Sequence, residues 1–284
     1  MKHISILVPE GNCSLVNIEG THQIFSEINS MLARVGKPPL FKVQLVGLHR
    51  ETSMYSGLFR IHPDVLIDDV KKTDLIIIPA IHGEKTKMIE ENKAFLPWMV
   101  KQYNNGASIA TLCIGVFLLA ATGLLKGKRC ATHWVEADNF RRMFPDVNLV
   151  PDKIITDDSN IYTSGGAYSW LNLILYIIEK MAGRDMAITC SKIFEIQIER
   201  DNQSAFMIFS PQKRHDDEAV RKVQDFIEQN YAEKISVDDL AKTVGVSRRN
   251  LERRFRKVTY NSIVEYMQRV RIEAAKQTLE RERE

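Results

Sequence analysis

Short apolar runs alternate with longer amphipathic stretches over the first two thirds of the chain. Runs of this length that are rich in β-branched side chains are typical of strands buried on both faces. We expect such strands at Ile4–Val8, Phe41–Leu48, Leu75–Pro79 and Ser108–Leu112. We expect helices at Ser14–Val35, Lys85–Asn104, Gly115–Leu125 and Tyr168–Met181. The alternation predicts an α/β fold, a three-layer sandwich around a mostly parallel sheet.

Two uncharged stretches, Ala107–Leu125 and Ile161–Ile178, approach the length of a membrane span. Both contain glycines and hydroxyl side chains, which favours a buried strand, a tight turn and a buried helix. The second stretch overlaps a predicted strand pair, Lys153–Asp157 and Asn160–Ser164, that is joined by a turn at Asp158-Ser159. No membrane partner is expected.

The pattern becomes polar and irregular over residues 201–216, which is typical of a domain boundary. We therefore predict a first domain over residues 1–200, a linker over 201–216 and a second domain over 217–284. Helical periodicity resumes at Ala219–Tyr231. Its predicted inner face consists of Val220, Val223, Phe226 and Ile227.

Two short helices follow around a Gly-Val-Ser turn. Ser236 and Ser247 are suitable N-caps, with Asp239 placed to complete a near capping box, and Gly245 is suited to a left-handed helix end. This spacing predicts a helix-turn-helix, so the second domain is expected to be small and entirely helical.

The second of these helices, predicted at Arg248–Val258, carries a stripe of arginines. On a helical wheel Leu251, Phe255 and Val258 face inward. The opposite face presents Arg249, Arg253 and Arg256, and the positions that flank it are Arg248, Asn250, Arg254 and Lys257. Arginine can pair bidentately with guanine in the major groove, and the flanking residues suit base edges or phosphates. The alternative is a solvated basic face.

Charge distribution favours the DNA-binding interpretation. The whole chain has 39 basic and 36 acidic residues, a net charge of +3. The segment from Lys242 to Lys276 has ten basic and three acidic residues, a net charge of +7. Promoter DNA is therefore the expected partner of this segment.

The same region resembles the AraC/XylS regulator family over about residues 217–280. The matching positions are Leu240-Ala241, Ser247, Leu251-x-Arg253-x-Phe255, Tyr266 and Arg271-x-Glu273-Ala274-Ala275. The helix expected at Ser262–Leu279 then resembles the family's linker helix, and its inward candidates are Ile263, Tyr266, Val270, Ala274 and Leu279. Two positions depart from the family pattern: Tyr260 replaces a usual glycine and Ile263 a usual proline.

The chain stops where that family normally begins a second helix-turn-helix. Two interpretations are open at this point. Either the chain is a truncated form, or it reads DNA with one unit per protomer and depends more strongly on dimerisation.

In the first domain, the strand ending at Leu112 runs into a predicted helix through Cys113, with Gly115 two positions later. This is the pattern of a nucleophile elbow, which places a side chain at a helix N-terminus. The helix dipole and free backbone N–H groups are expected there to lower the thiol pKa from its usual value of about 8.5. The alternative is a small residue that fills a strand-helix corner.

The elbow resembles the class I glutamine-amidotransferase-like, flavodoxin-like fold, and more narrowly its PfpI-type branch, over about residues 3–200. His133 lies at a position where the branch often has histidine, and Gly166 lies in a matching strand-helix turn, Thr163-Ser164-Gly165-Gly166. Asn17 stands where enzymes of the branch usually have a carboxylate. Pro79-Ala80-Ile81-His82-Gly83 replaces their Pro-Gly-Gly turn, whose backbone N–H groups form an oxyanion hole.

These departures favour a ligand pocket over a catalytic site. The candidate ligand-binding residues are Cys113, His133, Asn17, Ile81, His82, Trp134 and Gly166. Trp134 and Trp170 either line the pocket or belong to the core, and His133 is either a ligand contact or the cap of a strand end. If the site is catalytic, Cys113 and His133 are the expected dyad.

The two resemblances together imply a GlxA-type transcriptional regulator. That resemblance implies sensing of a small nitrogenous metabolite, such as an amino acid or a quaternary amine, by a homodimer in the cytoplasm. Two alternatives are a cysteine-dependent hydrolase or lyase with an attached DNA-binding domain, and a thiol redox sensor. The four cysteines are widely spaced, so no metal, cofactor or disulfide framework is expected.

Overall fold

The computed structural model describes residues 1–198, 202–209, 211–213 and 215–281, with the side chain of residue 205 excluded. The chain separates into two compact units, Met1–Phe206 and Met207–Glu284. The division falls within the predicted linker, and the domain boundaries stay a prediction. Residues 199–201, 210 and 214 at and within that linker, and 282–284 of the predicted second domain, lie outside the described residues.

The first unit is built on a seven-stranded sheet within the described residues. Eleven strands are described in all: β1 Lys2–Val8, β2 Phe41–Gly47, β3 Thr52–Met54, β4 Phe59–Ile61, β5 Val65–Leu66, β6 Leu75–Ile78, β7 Ser108–Thr111, β8 Arg129–Cys130, β9 Asn148–Leu149, β10 Ile155–Asp158 and β11 Ile161–Ser164. The main sheet has the order β10-β11-β7-β6-β1-β2-β5, and only β10 runs antiparallel to its neighbour. This arrangement confirms the predicted α/β fold and the mostly parallel sheet.

Helices flank this sheet. Those of the first unit are α1 Leu15–Arg34, α2 Lys85–Glu91, α3 Phe95–Asn104, α4 Val116–Ala120, α5 Ala137–Met143, α6 Trp170–Ala182 and α7 Arg184–Ile193. The predicted strands β1, β6, β7 and β11 are almost entirely buried, as expected for the centre of a parallel sheet. Strand β2 differs from the prediction, because the short edge strand β5 pairs only with Val46 and Gly47 and the middle residues of β2 are half-buried.

The single helix predicted at Lys85–Asn104 is wrong, since the structure divides it into α2 and α3. The side chain of Asn92, which ends α2, is fully buried and bonds both backbone groups of Glu10. Pro97 lies in the first turn of α3, where proline is tolerated. The helix predicted at Gly115–Leu125 is also shorter than expected, because the chain turns at Gly123 with a φ of 79°.

The two uncharged stretches fold as strand, turn and helix, through β7 and α4 and through β11 and α6. Within the described residues, no helix combines the length and apolarity that crossing a membrane requires.

The second unit is entirely helical in its described part. Its helices are α8 Glu218–Gln229, α9 Val237–Thr243, α10 Arg248–Thr259 and α11 Ile263–Arg281. Ser236 and Ser247 accept hydrogen bonds from backbone N–H groups at the starts of α9 and α10, and Gly245 has a φ of 67°. The predicted helix-turn-helix and its caps are therefore confirmed.

The core of the second unit includes Leu251 and Phe255 of α10 and Tyr266 of α11. Two predicted inward residues are wrong: Phe226 is 39% exposed and Leu279 is 68% exposed. Leu279 lies near the end of α11, beyond the last buried residue of that helix, Val270. The buried face of α8 instead includes Gln224, which is fully buried and bonds His215 and the Gln212 carbonyl.

Candidate functional site

Cys113 lies at the carboxyl end of β7 in the backbone geometry of an elbow. Its φ is 55°, a left-handed value that is uncommon for a non-glycine residue, and a 3-10 turn begins there. Its N–H donates to the Ser164 hydroxyl at 3.1 Å. A Cβ added to Gly115 would lie 2.4 Å from the Pro79 carbonyl oxygen. The elbow therefore requires glycine at 115, because the end of β6 packs directly against it.

The lowered thiol pKa expected for Cys113 is wrong. Burial raises the pKa of this thiol to about 12, and the Ile114 N–H and the Lys85 charge offset only part of that effect. The helix that follows the elbow has only five residues, which limits the contribution of its dipole. At neutral pH the sulfur is a thiol rather than a nucleophilic thiolate.

Asn17 and the Pro79–Gly83 turn meet beside the end of β6. Asn17 is buried in the first turn of α1, and its Oδ1 accepts the N–H of Ala80 at 3.0 Å. This N–H belongs to the turn that replaces the Pro-Gly-Gly turn of the related enzymes, and its hydrogen bond to Asn17 means that it is not a free oxyanion donor. The Ile81 side chain is fully buried, and the His82 N–H donates to the Asn12 carbonyl at 2.8 Å.

His133 begins a 3-10 turn at Trp134–Glu136, and its Nδ1 accepts the N–H of Val135 at 3.2 Å. His133 therefore caps this turn rather than the end of a strand, and its role as a ligand contact stays a prediction. Burial lowers the pKa of His133, and Glu136 opposes this. Among the described residues, no hydrogen bond joins the side chains of His133 and Cys113. Trp134 is half-buried, with its ring centroid 5.6 Å from that of His133. Trp170 belongs to the core, packed on Gly20.

Lys85 was missed by the sequence reasoning. It lies at the start of α2 and is only 5% exposed, with its Nζ 3.1 Å from the Gly83 carbonyl and 3.8 Å from a Glu136 carboxylate oxygen. Its ammonium also lies 5.3 Å from the ring centroid of Phe117. A cation in the first turn of a helix opposes the helix dipole, and this was the available signal.

The charges of Lys85 and Glu136 act on the predicted site residues. The Lys85 charge opposes the larger effect of burial on the pKa of Cys113. The same charge adds to the burial that lowers the pKa of His82. Glu136 raises the pKa values of Cys113 and His133. One buried cation and one partly exposed anion thus share the surroundings of the elbow.

Gly166 follows β11 and lies against a residue that was also missed, Gln203. Gln203 is 1% exposed and its Nε2 donates to the carbonyls of Thr132, Pro151 and Lys153. Since Gln203 comes from the predicted linker, no local pattern pointed to it.

The described residues hold no group of three or more histidine, cysteine or acidic side chains that could bind a metal ion. A cavity of about 410 Å³ includes none of the predicted ligand-binding residues among its lining. It lies against β10, α6 and α7, with Asp157, Tyr176 and Ala187 in its walls.

The arginine stripe lies on the exposed face of α10. Arg249, Arg253 and Arg256 are exposed and make no hydrogen bond or ion pair with the described part of the chain. The exposed residues Asn250 and Lys257 have side chains that are likewise unpaired within those residues. Leu251 and Phe255 are fully buried on the opposite face.

The two other flanking arginines have intramolecular partners. Arg254 forms a two-bond pair with Asp217, with its Nε 2.8 Å from one carboxylate oxygen. Arg248 bonds Asp238 at 3.1 Å and Glu252 at 2.9 Å, although its side chain is 54% exposed. Arg254 therefore connects α10 to the start of α8 as well as flanking the stripe.

Comparison with known proteins agrees with both halves of this description. The DJ-1/PfpI family model matches residues 27–180, and the AraC family model of bacterial regulatory helix-turn-helix proteins matches residues 227–268. A crystal structure of an AraC family transcriptional regulator from Pseudomonas putida superposes with a TM-score of 0.57 at 14% identity, covering 68% of this chain and 100% of that one.

The curated relatives that this chain resembles in sequence include two regulators and one enzyme. The transcriptional regulator GbdR of Pseudomonas aeruginosa is 27% identical over 274 residues, covering 94% of this chain and 71% of that protein. GlxA of Rhizobium meliloti is 25% identical over 62% of this chain and 54% of its own length. Isonitrile hydratase of Pseudomonas putida is 26% identical over 49% of this chain and 58% of that enzyme.

The two folds and the comparisons define a class of protein: AraC-type transcriptional regulators that carry a DJ-1/PfpI domain. Since its family model matches more than half of the sequence, the chain belongs to the DJ-1/PfpI family. The predicted resemblances are confirmed at this level.

Proposed function

We propose that this protein regulates transcription by sensing a small nitrogenous metabolite beside Cys113 and that the α10 arginine stripe reads promoter DNA. The observation that carries the proposal is that Arg249, Arg253 and Arg256 lie on one exposed face of a capped recognition helix and have no side-chain partner within the described part of the chain. Exposed arginines without intramolecular partners are free to meet base edges and phosphates.

The charges near the elbow support a zwitterionic effector. Lys85 is buried, and among the described residues its Nζ has one main-chain carbonyl at hydrogen-bond distance and Glu136 at 3.8 Å, so its ammonium can donate to a further anionic partner. Glu136 has a side chain that is 30% exposed and can attract a cationic nitrogen. An amino acid, or a quaternary amine with a carboxylate, combines both charges.

Binding without chemistry is favoured by the state of the thiol. The raised pKa of Cys113 and the amide of Asn17 leave no carboxylate or thiolate at the position where enzymes of this branch have their nucleophile pair. The effector would then act through a coupling free energy between its site and the DNA-binding unit. A homodimer would present two recognition helices to paired half-sites.

The DNA-binding part is tested with duplexes selected by this protein from a random library. Alanine at Arg249, Arg253 or Arg256 should reduce affinity for the selected duplex by about 1–3 kcal/mol wherever that arginine contacts a base. Loss of affinity for scrambled duplexes should be smaller. Wild-type affinity in all three variants would rule out the stripe as the reading surface.

A cysteine-dependent hydrolase or lyase is the second candidate, favoured by the left-handed backbone of Cys113 and by the relative that is an isonitrile hydratase. An activity screen of wild type against Cys113→Ser separates the two functions. Turnover that disappears in the serine variant supports the enzyme, whereas effector binding without turnover supports the sensor. DNA binding that responds to peroxide would instead support the redox sensor.

A further inference from the structure

Gln203 has a buried side-chain oxygen that lacks a hydrogen-bond partner among the described residues. Its Nε2 donates to three main-chain carbonyls, the nearest at 2.7 Å, which fixes the orientation of the amide. Its Oε1 is buried and accepts no hydrogen bond within the described residues, although the whole residue is only 1% exposed. A buried acceptor left without a donor is unfavourable, so its presence calls for an explanation.

Two glycines leave the space that the Gln203 amide occupies. A Cβ on Gly165 would lie 2.5 Å from the Gln203 Nε2, and a Cβ on Gly166 would lie 3.2 Å from its Oε1. Glycine at both positions thus provides the room that the amide occupies. The unpaired oxygen lies beside Gly166, and the nitrogen of the same amide donates to the Thr132 carbonyl. The Thr132 hydroxyl in turn lies 3.5 Å from the Cys113 carbonyl oxygen.

Gln203 also lies close in sequence to the DNA-binding unit. Three residues separate it from Met207, where that unit begins. Within that unit, the ring of Phe209 packs on Tyr266 at a centroid distance of 5.1 Å, and Tyr266 packs on Phe255 of α10 at 5.2 Å. The backbone that carries the unpaired oxygen therefore continues directly into the packing that supports the recognition helix.

We infer that Gln203 Oε1 accepts a hydrogen bond from an N–H of the effector, which makes the segment leading to the DNA-binding unit a part of the effector site. This inference rests on the proposed function and narrows its ligand class. A primary or secondary ammonium supplies the missing donor, whereas a quaternary ammonium has no N–H. The effector is then a protonated amine of the amino-acid class.

The test compares the full chain with the twenty standard amino acids and with the N,N,N-trimethyl derivative of each. Thermal shift identifies the compounds that bind, and calorimetry measures their dissociation constants. At least one amino acid should bind, and its trimethyl derivative should bind about tenfold more weakly or worse, because a hydrogen bond to a charged group is lost.

Gln203→Met removes both amide atoms and should abolish that preference. Gln102→Met is the matched control, since Gln102 is also 1% exposed and donates to main-chain carbonyls, while its Oε1 accepts the Thr73 N–H. The control should keep the preference. Gly166→Ala places a methyl group near the Gln203 oxygen. This variant should lose more affinity for the amino acid than for its trimethyl derivative.

The outcomes separate the inference from the function on which it rests. A trimethyl derivative that binds as tightly as its amino acid overturns the inference and leaves the sensing proposal intact. If no compound of either series raises the melting temperature of wild type, the sensing proposal fails and the inference with it. The wild-type comparison decides even if Gln203→Met does not fold.

Discussion

The sulfur of Cys113 lies in a corner of the sheet where burial outweighs the nearby Lys85 charge and raises the thiol pKa to about 12. Because only the thiolate is alkylated, the iodoacetamide rate at Cys113 should keep rising about tenfold per pH unit through pH 9 and 10. Mass spectrometry of the peptide that contains Cys113 measures this rate.

The control is the denatured chain, where the rate should level off once the thiols ionise near their usual pKa of about 8.5. A plateau at or below that pH in the folded protein would mean that Cys113 is a thiolate in the neutral range. The hydrolase interpretation would then regain its nucleophile.

Arg254 and Arg249 belong to one helix, but replacing each of them by alanine should change a different property of the protein. Arg254 holds Asp217, whose pKa lies below its ordinary value mainly because of this pair, so Arg254→Ala should lower the melting temperature. Arg249→Ala should lower DNA affinity and leave the melting temperature unchanged. The reverse pattern would contradict the assignment of both residues.

The pair also predicts a pH dependence with a definite sign. Because the folded-state pKa of Asp217 is depressed, its stabilisation is fully present above the unfolded-state value of about 3.9 and is lost as pH falls through the folded-state pKa. The melting temperatures of wild type and Arg254→Ala should therefore converge in acid. A difference that widens as pH falls would be inconsistent with this pair.

At the scale of elements, the end of α10 departs from the family pattern. Tyr260 stands where a glycine is usual and adopts a left-handed φ of 57°, with its side chain 47% exposed. A non-glycine residue in this conformation destabilises the folded state by about 1–2 kcal/mol. Glycine avoids that strain but loses more chain entropy on folding, which offsets about half of the gain. Tyr260→Gly should thus raise the unfolding free energy by up to about 1 kcal/mol.

Tyr260→Ala is the matched control, since alanine keeps the Cβ that causes the strain and removes the aromatic ring. Chemical denaturation should place the alanine variant at or below wild type and the glycine variant above it. Equal stability of the two variants would mean that the turn is not strained.

The elements that sequence predicted best are those fixed by local chemistry. Ser236, Ser247 and Gly245 each act within a few residues of their own position, so their roles could be inferred from spacing alone. The break between α2 and α3 could not, because Asn92 holds the backbone of Glu10, 82 residues earlier.

In the candidate site, too, local features could be predicted and those that depend on long-range packing could not. The position of Cys113 after a buried strand could be predicted, but its pKa depends on how completely the fold covers it. Gln203 reaches the site from a predicted linker without a local signal for that role, and Lys85 offers only the indirect signal of a cation in the first turn of a helix. Long-range packing, which a single sequence does not encode in any short pattern, accounts for each of these differences.

At the scale of the whole molecule, a DJ-1/PfpI domain and an AraC-type helix-turn-helix are joined in one chain. In a regulator, effector binding to the DJ-1/PfpI domain changes the affinity of the helix-turn-helix for DNA. By linkage, DNA binding changes the affinity for the effector by the same factor. We propose that this coupling begins at Lys85, Glu136 and Gln203.

The most direct test measures the affinity of the full chain for its selected duplex by fluorescence anisotropy, with and without the compound that stabilises it most in the thermal-shift series. Saturating effector should change the DNA dissociation constant about fivefold or more, the lower range of typical allosteric coupling. An unchanged constant with the effector bound would contradict the claim that this protein is a ligand-controlled regulator.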